Sequence, residues 1–255
     1  FGTEPIHEAA WNCFFDILTE LLGNPKGVAE GDGEAVQNIF AGLALSGISM
    51  QVCNDTRPAS CAEHLFSHVL DMTHHTFNGR PQLHGDQVSI GTLTMCAVVD
   101  EILKYDFTKI DVDKCVAAWP SLEEVQKDAI DTYADFPIKN LGYEMMTRKY
   151  ESADKVRKEL ENLKVVWPEF KKKLEAQLWS FDKMKEHFDL CGAPTDPSRI
   201  GITRAYLKHI LPKAAQMRWR INAFDLLKRC GIYEEVVEKI FGKGGAWDLA
   251  EEKLK

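Results

Sequence analysis

Histidines 64 and 68 stand four residues apart in the stretch SCAEHLFSHVLDM, residues 60–72, among the apolar neighbours Leu65, Phe66, Val69 and Leu70. On a helix, an i,i+4 pair shares one face with Cβ atoms roughly 6 Å apart. Both rings can then reach one point, as the histidines of HExxH helices do around zinc. Such a pair also arises as ordinary buried histidines bonded to main-chain carbonyls. A third imidazole, His84 in LHGDQV, adds to the case, because it falls where a loop meets the next helix and can point into the cleft between two helices. Gly85 beside it lets backbone or ligand come close. Two histidines from neighbouring helices begin a divalent-metal site. A catalytic site takes three protein ligands and an open position, and a carboxylate as the third would offset the ion's charge while it polarises a substrate oxygen. Glu63, Asp71 and Asp86 lie nearby in sequence, but Glu63 and Asp86 are expected to cap helices and none of the three is assigned as the ligand. His74 and His75 are expected to face solvent, and His7, His187 and His209 stand apart.

The elements that position these residues read as helices, and sustained period-two runs are nearly absent. Ser60-Cys-Ala-Glu63 has the spacing of a capping box, in which Ser60 accepts from the N–H of residue 63 and Glu63 reaches back to the N–H of residue 60. It predicts a helix from Ser60 to about residue 76, then a turn at Asn78-Gly79. Further helices are predicted over 6–22, 34–52, 86–104, 139–149 and 153–165. Ser121-Leu-Glu-Glu124 is a second capping box and opens a helix to about 133. Trp167-Pro168 is expected to start a new helix, with proline in its first turn, that runs to about 189 and stops at Gly192. Thr203 caps a segment reaching Cys230, with a break or kink at Pro212, and a last helix covers about 233–241. The helix over 34–52 carries Gly42, Ala44, Ser46, Gly47 and Ser49, small residues against which the histidine helix is expected to pack closely. The Lys- and Glu-rich region 145–190 is expected to face solvent. Residues 1–255 thus read as one all-α domain.

The chain has 255 residues and a formal net charge of −8, with no long basic run. That argues against a nucleic-acid protein, whose affinity rests on clustered Lys and Arg, but not against a small phosphorylated ligand. The seven cysteines are odd in number, widely spaced and without a CxxC, which suits free thiols in a reducing cytoplasm. No stretch reads as a bilayer span. No strand precedes a GxGxxG, and Gly242-Lys-Gly-Gly245 lacks one as well, so no dinucleotide site is expected in these residues. Phe1 is not an initiator, and the reading frame is expected to begin upstream.

GLALSGISM, TRPASCAEHLFSH and LHGDQVSIGTL, followed later by CGAPTDPSRIGITRAYL and QMRWRINAFDLL, resemble the sn-glycerol-1-phosphate dehydrogenases of the iron-containing alcohol dehydrogenase and dehydroquinate synthase-like superfamily. The resemblance runs from about residue 35 to 231. It implies the all-helical C-terminal half of a two-part fold whose N-terminal α/β half binds NAD(H) or NADP(H) and is absent here. It also implies that His64 and His84 ligate a divalent metal (Zn²⁺, Ni²⁺ or Fe²⁺), with the third ligand, an aspartate, lying before residue 1. His68 would contact substrate. The implied reaction is hydride transfer between a nicotinamide and dihydroxyacetone phosphate, giving sn-glycerol 1-phosphate, with this chain inactive on its own. Arg57, Arg204, Arg218 and Arg220 are candidate phosphate partners. Two other readings stay open: a dehydroquinate synthase-like or other polyol-phosphate enzyme, and a non-catalytic helical module. Pairing of chains into a homo-oligomer is also open.

Overall fold

Helical spacing of apolar residues dominates the chain, and the computed structural model, which describes residues 1–13 and 15–252, is built from helices. In order they are α1 (Glu8–Trp11), α2 (Leu18–Leu21), α3 (Pro25–Glu30), α4 (Gly33–Cys53), α5 (Ala62–Met72), α6 (His84–Ile102), α7 (Val112–Ala117), α8 (Leu122–Thr132), α9 (Leu141–Lys149), α10 (Ala153–Gln177), α11 (Phe181–Cys191), α12 (Arg204–Gln216), α13 (Ala223–Arg229) and α14 (Tyr233–Phe241). The sole ladder among the described residues is a hairpin, β1 (Thr76–Phe77) with β2 (Arg80–Pro81). Asn78 and Gly79 form its turn, both at positive φ (53° and 74°), as a two-residue hairpin turn with right-handed twist requires.

The core is assembled around α5 and α6. Leu65, Phe66, Val69 and Leu70 of α5 meet Ile90, Leu93, Ala97 and Val98 of α6, and α10, α12, α13 and α14 close over them with Leu160, Leu163, Trp167, Leu207, Ile210, Phe224, Leu227 and Ile240. The approach of α5 to α6 is unusually close at one point: a Cβ on Gly91 would overlap the Glu63 carbonyl group. Ser67 of α5 lies opposite His84 and Gln87 of α6, and Glu63 lies opposite Gly91, so the two helices run antiparallel. The hairpin between them is pinned by Phe77, whose ring lies against Gly201, and by His75 Nε2, which donates to the Ile200 carbonyl at 2.7 Å. His75 is therefore a tether and not the solvent-facing residue expected; His74 is exposed.

Several predicted helices hold. Ser121 and Glu124 make their capping box, α14 begins and ends as read, and Gly192 and Gly231 stop helices at positive φ. Others do not. Residues 6–22 are broken into α1, a 3-10 turn (Phe15–Ile17) and α2. Helix α10 runs through Trp167-Pro168 without interruption and ends at Gln177; Ser180 then caps α11. An internal proline costs about 3 kcal/mol, and here burial of Val156, Leu160, Leu163 and Trp167 along one face of α10 outweighs it. Pro212 likewise lies inside α12, and the break comes later, at residues 217–222. The 145–190 region is thus only partly solvent-facing.

Helix α4 corrects two expectations. It packs on α1, α2 and α3, and α5 packs instead on α6 and α12. Gly42 receives the Leu21 side chain, and Gly47 has nothing within 4 Å. At 21 residues, with a mean hydropathy of 1.3 over its most apolar window, α4 is also long and apolar enough to cross a bilayer; only 6 % of that window is buried. Interspersed Gly, Ala and Ser concealed this, because they carry neither charge nor bulk. Phe40 (72 %) and Leu43 (69 %) stand open on it. All seven cysteines are free.

Gly91→Ala tests the α5–α6 contact. The added methyl forces the helices apart, and over-packing of this kind costs about 1–3 kcal/mol. Urea unfolding is expected to show a lower midpoint at unchanged slope, whereas Gly85→Ala, which meets open space, is not expected to approach that loss.

Candidate metal and substrate site

Helix α5 starts one residue later than its sequence suggests. Its N-cap is Cys61, which makes no side-chain cap bond. Glu63 Oε1 accepts from the Cys61 N–H at 2.9 Å, and Ser60 is left outside the helix with its hydroxyl turned to Arg218. At the start of α6 the N-cap is Leu83, so Asp86 does not cap; His84 occupies the first helical position and is exposed. The antiparallel pairing of α5 and α6 therefore carries His84 back beside the first two turns of α5. The rings of His64 and His84 lie 5.1 Å apart between centroids, and those of His68 and His84 6.2 Å.

Each imidazole is held by one nitrogen. The Nδ1–H of His64 donates to Glu63 Oε1 at 2.8 Å. Ser67, fully buried, donates its hydroxyl proton to Gln87 Oε1 at 2.5 Å, so its oxygen accepts from the Nδ1–H of His84 at 2.8 Å. Both rings are thereby set in the tautomer whose Nε2 carries the lone pair, and neither Nε2 has a protein partner among the described residues. Metal-ligating histidines are oriented in this way, by an oxygen on the far nitrogen. His68 is held from the opposite side: Arg218 Nη2 donates to its Nε2 at 3.0 Å, which leaves the His68 Nδ1–H to offer. Burial, and after it the Arg218 charge, holds the His68 pKa below the usual range, so the ring is neutral at pH 7. Burial pushes Glu63 up, but its hydrogen bonds from His64 and from the Cys61 N–H outweigh that and keep it ionised.

The sequence singled out all three imidazoles, and the structure brings them together. It missed the residues that aim them. Ser67 was legible in principle, since it sits three residues after His64 on the same helical face; Gln87 and Glu63 act across a packing contact that spacing alone does not reveal. Of the other carboxylates, Asp71 is exposed on α5. Among the described residues, no group of three or more His, Cys, Asp or Glu side chains is arranged to hold a metal ion. Nor do the two best-defined clefts reach the histidines. One, of about 480 Å³, lies between Trp119, Tyr150 and Tyr233; the other, of about 740 Å³, lies between Ile102, Phe170 and Leu226. The histidines stand on an open face.

The candidate arginines separate by their partners. Arg204 is buried, bonded to Asp196 Oδ2 at 3.0 Å and to the Asp248 carbonyl at 2.8 Å, and is structural. Arg57 pairs with Glu4 at 2.9 Å and Arg220 with Asp55 at 2.8 Å. Arg218 reaches only the neutral Ser60 and His68.

No family model and no solved structure matches the chain. Curated relatives match one segment of it. The glycerol-1-phosphate dehydrogenase [NAD(P)+] of Pyrococcus furiosus is 46% identical over 65 residues, 26% of this chain and 18% of that protein. Those of Thermococcus kodakarensis and Methanothermobacter thermautotrophicus are 43% and 36% identical over 75 residues, each 29% of this chain and 20% of the relative. The match thus spans no more than a fifth of the relatives' length. Over that segment, the chain is similar to the glycerol-1-phosphate dehydrogenases.

Proposed function

We propose that the chain supplies the metal- and substrate-binding helical domain of an NAD(P)-linked dehydrogenase that interconverts a small phosphorylated ketone and its alcohol. Dihydroxyacetone phosphate and sn-glycerol 1-phosphate are the pair assigned. The observation that carries the reading is the pairing of His64 with His84: two rings 5.1 Å apart on antiparallel helices, each Nδ1–H occupied by an oxygen and each Nε2 unpartnered among the described residues. That donor set suits zinc, nickel or iron as a divalent ion. Bound there, such an ion would stabilise the charge that a substrate carbonyl oxygen gains as hydride arrives.

The chain's own groups would do the rest. Glu63 and Ser67 hold the imidazole lone pairs in place before any ligand arrives, so no reorganisation opposes binding. The neutral His68 ring, fixed by Arg218, offers its Nδ1–H to a substrate hydroxyl or carbonyl and so restricts its orientation. Two imidazoles fall one ligand short of a catalytic set. In this reading, the third ligand and the nicotinamide site come from polypeptide outside these residues, and the isolated chain is inactive. The seven free thiols favour a cytoplasmic setting.

Cobalt(II) titration followed by its visible d–d bands tests the site without turnover. The chain is expected to take up one ion. His64→Ala and His84→Ala should each remove the bands, and Glu63→Gln should weaken uptake about 10- to 100-fold. Uptake indifferent to both histidine substitutions would refute the pairing. For activity, the complete protein should reduce dihydroxyacetone phosphate with NADH or NADPH, and His68→Ala should lower that rate; absence of turnover with either nicotinamide would overturn the substrate assignment.

A further inference from the structure

We propose that Arg218 and the Ser60 hydroxyl form a phosphate subsite beside the histidines, and that it takes the phosphate monoester end of the substrate. The inference deepens and rests on the reading above, but the anion site stands on groups other than the His64–His84 pair. Three arginines gather near the start of α5, and two are spoken for. Arg220 Nη1 and Nη2 contact the Asp55 carboxylate at 2.8 and 2.9 Å, and Arg57 contacts Glu4. Arg218 is partly buried and has no carboxylate within ion-pair distance among the described residues; Glu63 and Asp55 act on it only from farther off, and burial and Arg220 outweigh them and lower its pKa. A guanidinium withdrawn from water without an anion in direct contact is costly, and it is stabilised when one binds. Its bonds to neutral groups are few: the Ser60 carbonyl and hydroxyl at 3.5 and 3.3 Å, and His68 Nε2 at 3.0 Å. A planar fork with five donors therefore retains capacity for a bidentate oxyanion.

The setting selects phosphate over a singly charged acid. Ser60 adds a hydroxyl beside the guanidinium, and Arg220 lies close enough to depress Arg218. A phosphate monoester carries about −1.5 to −2 charges at neutral pH and three acceptor oxygens, so it gains more from that field than a carboxylate does. His68 joins the subsite to the reacting end. One edge of its ring meets Arg218, and the ring lies 6.2 Å from that of His84. A ligand anchored on Arg218 thus extends past His68 toward the histidine pair.

Inorganic phosphate is the first probe, used on the metal-free chain and followed by ¹⁵N NMR of the arginine side chains and histidine rings. Phosphate is expected to shift the Arg218 and His68 signals saturably. sn-Glycerol 1-phosphate should do so more tightly, acetate more weakly, and glycerol not at all. Arg218→Met should weaken phosphate about tenfold or more, with Arg218→Lys retaining part and standing in should the methionine variant fail to fold. Arg220→Lys should leave the phosphate affinity within about twofold. No phosphate-induced shift in the wild type, equal affinity in a folded Arg218 variant, or acetate binding as tightly as phosphate would each overturn the proposal. Cobalt uptake by the wild-type chain reports separately on the histidine pair: no cobalt binding with phosphate binding intact would refute the metal reading and leave this one standing.

Discussion

The close contact of α5 with α6 is the constraint on which the site rests. Where Gly91 lies against the Glu63 main chain, the helices approach nearer than two side chains would allow. That approach brings Ser67 within hydrogen-bond distance of both His84 and Gln87, with Ser67 and Gln87 buried. A buried hydroxyl and a buried amide must find partners, or each costs about 1–3 kcal/mol. Ser67 and Gln87 satisfy one another, and in doing so they fix which nitrogen of His84 is protonated. The orientation of an exposed ring is thus determined by core packing below it. Widening the contact by one methyl would loosen this chain first, because its members come from opposite helices.

Charge around the start of α5 is arranged with the same economy. The helix N-terminus is a positive end, and three arginines cluster near it. A divalent cation in that field would be disfavoured, were it not for the nearby carboxylates. Glu63 takes the Cys61 N–H and the His64 Nδ1–H together, which offsets the dipole where the imidazole lone pair needs to be most basic. Asp55 and Glu4 neutralise Arg220 and Arg57. Arg218, on the far side of His68, is left without a direct ion pair among the described residues. In the proposed reading the site divides into a side for a cation, with two lone pairs backed by oxygens, and a side for an anion, with His68 between them. A phosphorylated alcohol or ketone has this polarity: a neutral oxygen able to meet a cation at one end and a dianion at the other.

The parts of this arrangement that were legible in the sequence are those set by local spacing. An i,i+4 pair declares its shared face, Ser121 and Glu124 declare a capping box, and the apolar stripe of α14 declares its buried side. What was not legible depends on distant contacts. Pro168 reads as a helix start because the local cost of proline is large, yet Trp167 and Leu163 bury enough surface against the core to keep α10 continuous. Ser60 and Glu63 read as a capping box. Glu63 keeps half of that role, and Ser60 is drawn off by Arg218, a residue 158 positions away. The small residues of α4 read as a docking face for the histidine helix, but spacing alone cannot say which helix comes to a glycine, and the neighbour is Leu21.

The open position of the histidines follows from the same physics. His84 is exposed because it occupies the first turn of α6, where no preceding turn covers it, and the adjacent Leu83 is 72 % exposed. No helix closes over that turn among the described residues. Helix α4 instead packs on α1, α2 and α3, and α12 turns away at Met217 to present Arg218. In the proposed reading, an ion held by two imidazoles on an open face would keep most of its coordination sphere for a further protein ligand and a substrate oxygen. Rigidity, in such a design, has to come from beneath. The buried Ser67, Gln87 and Gly91 provide it, while Glu63 provides it from the side, so the rings are aimed before anything binds them.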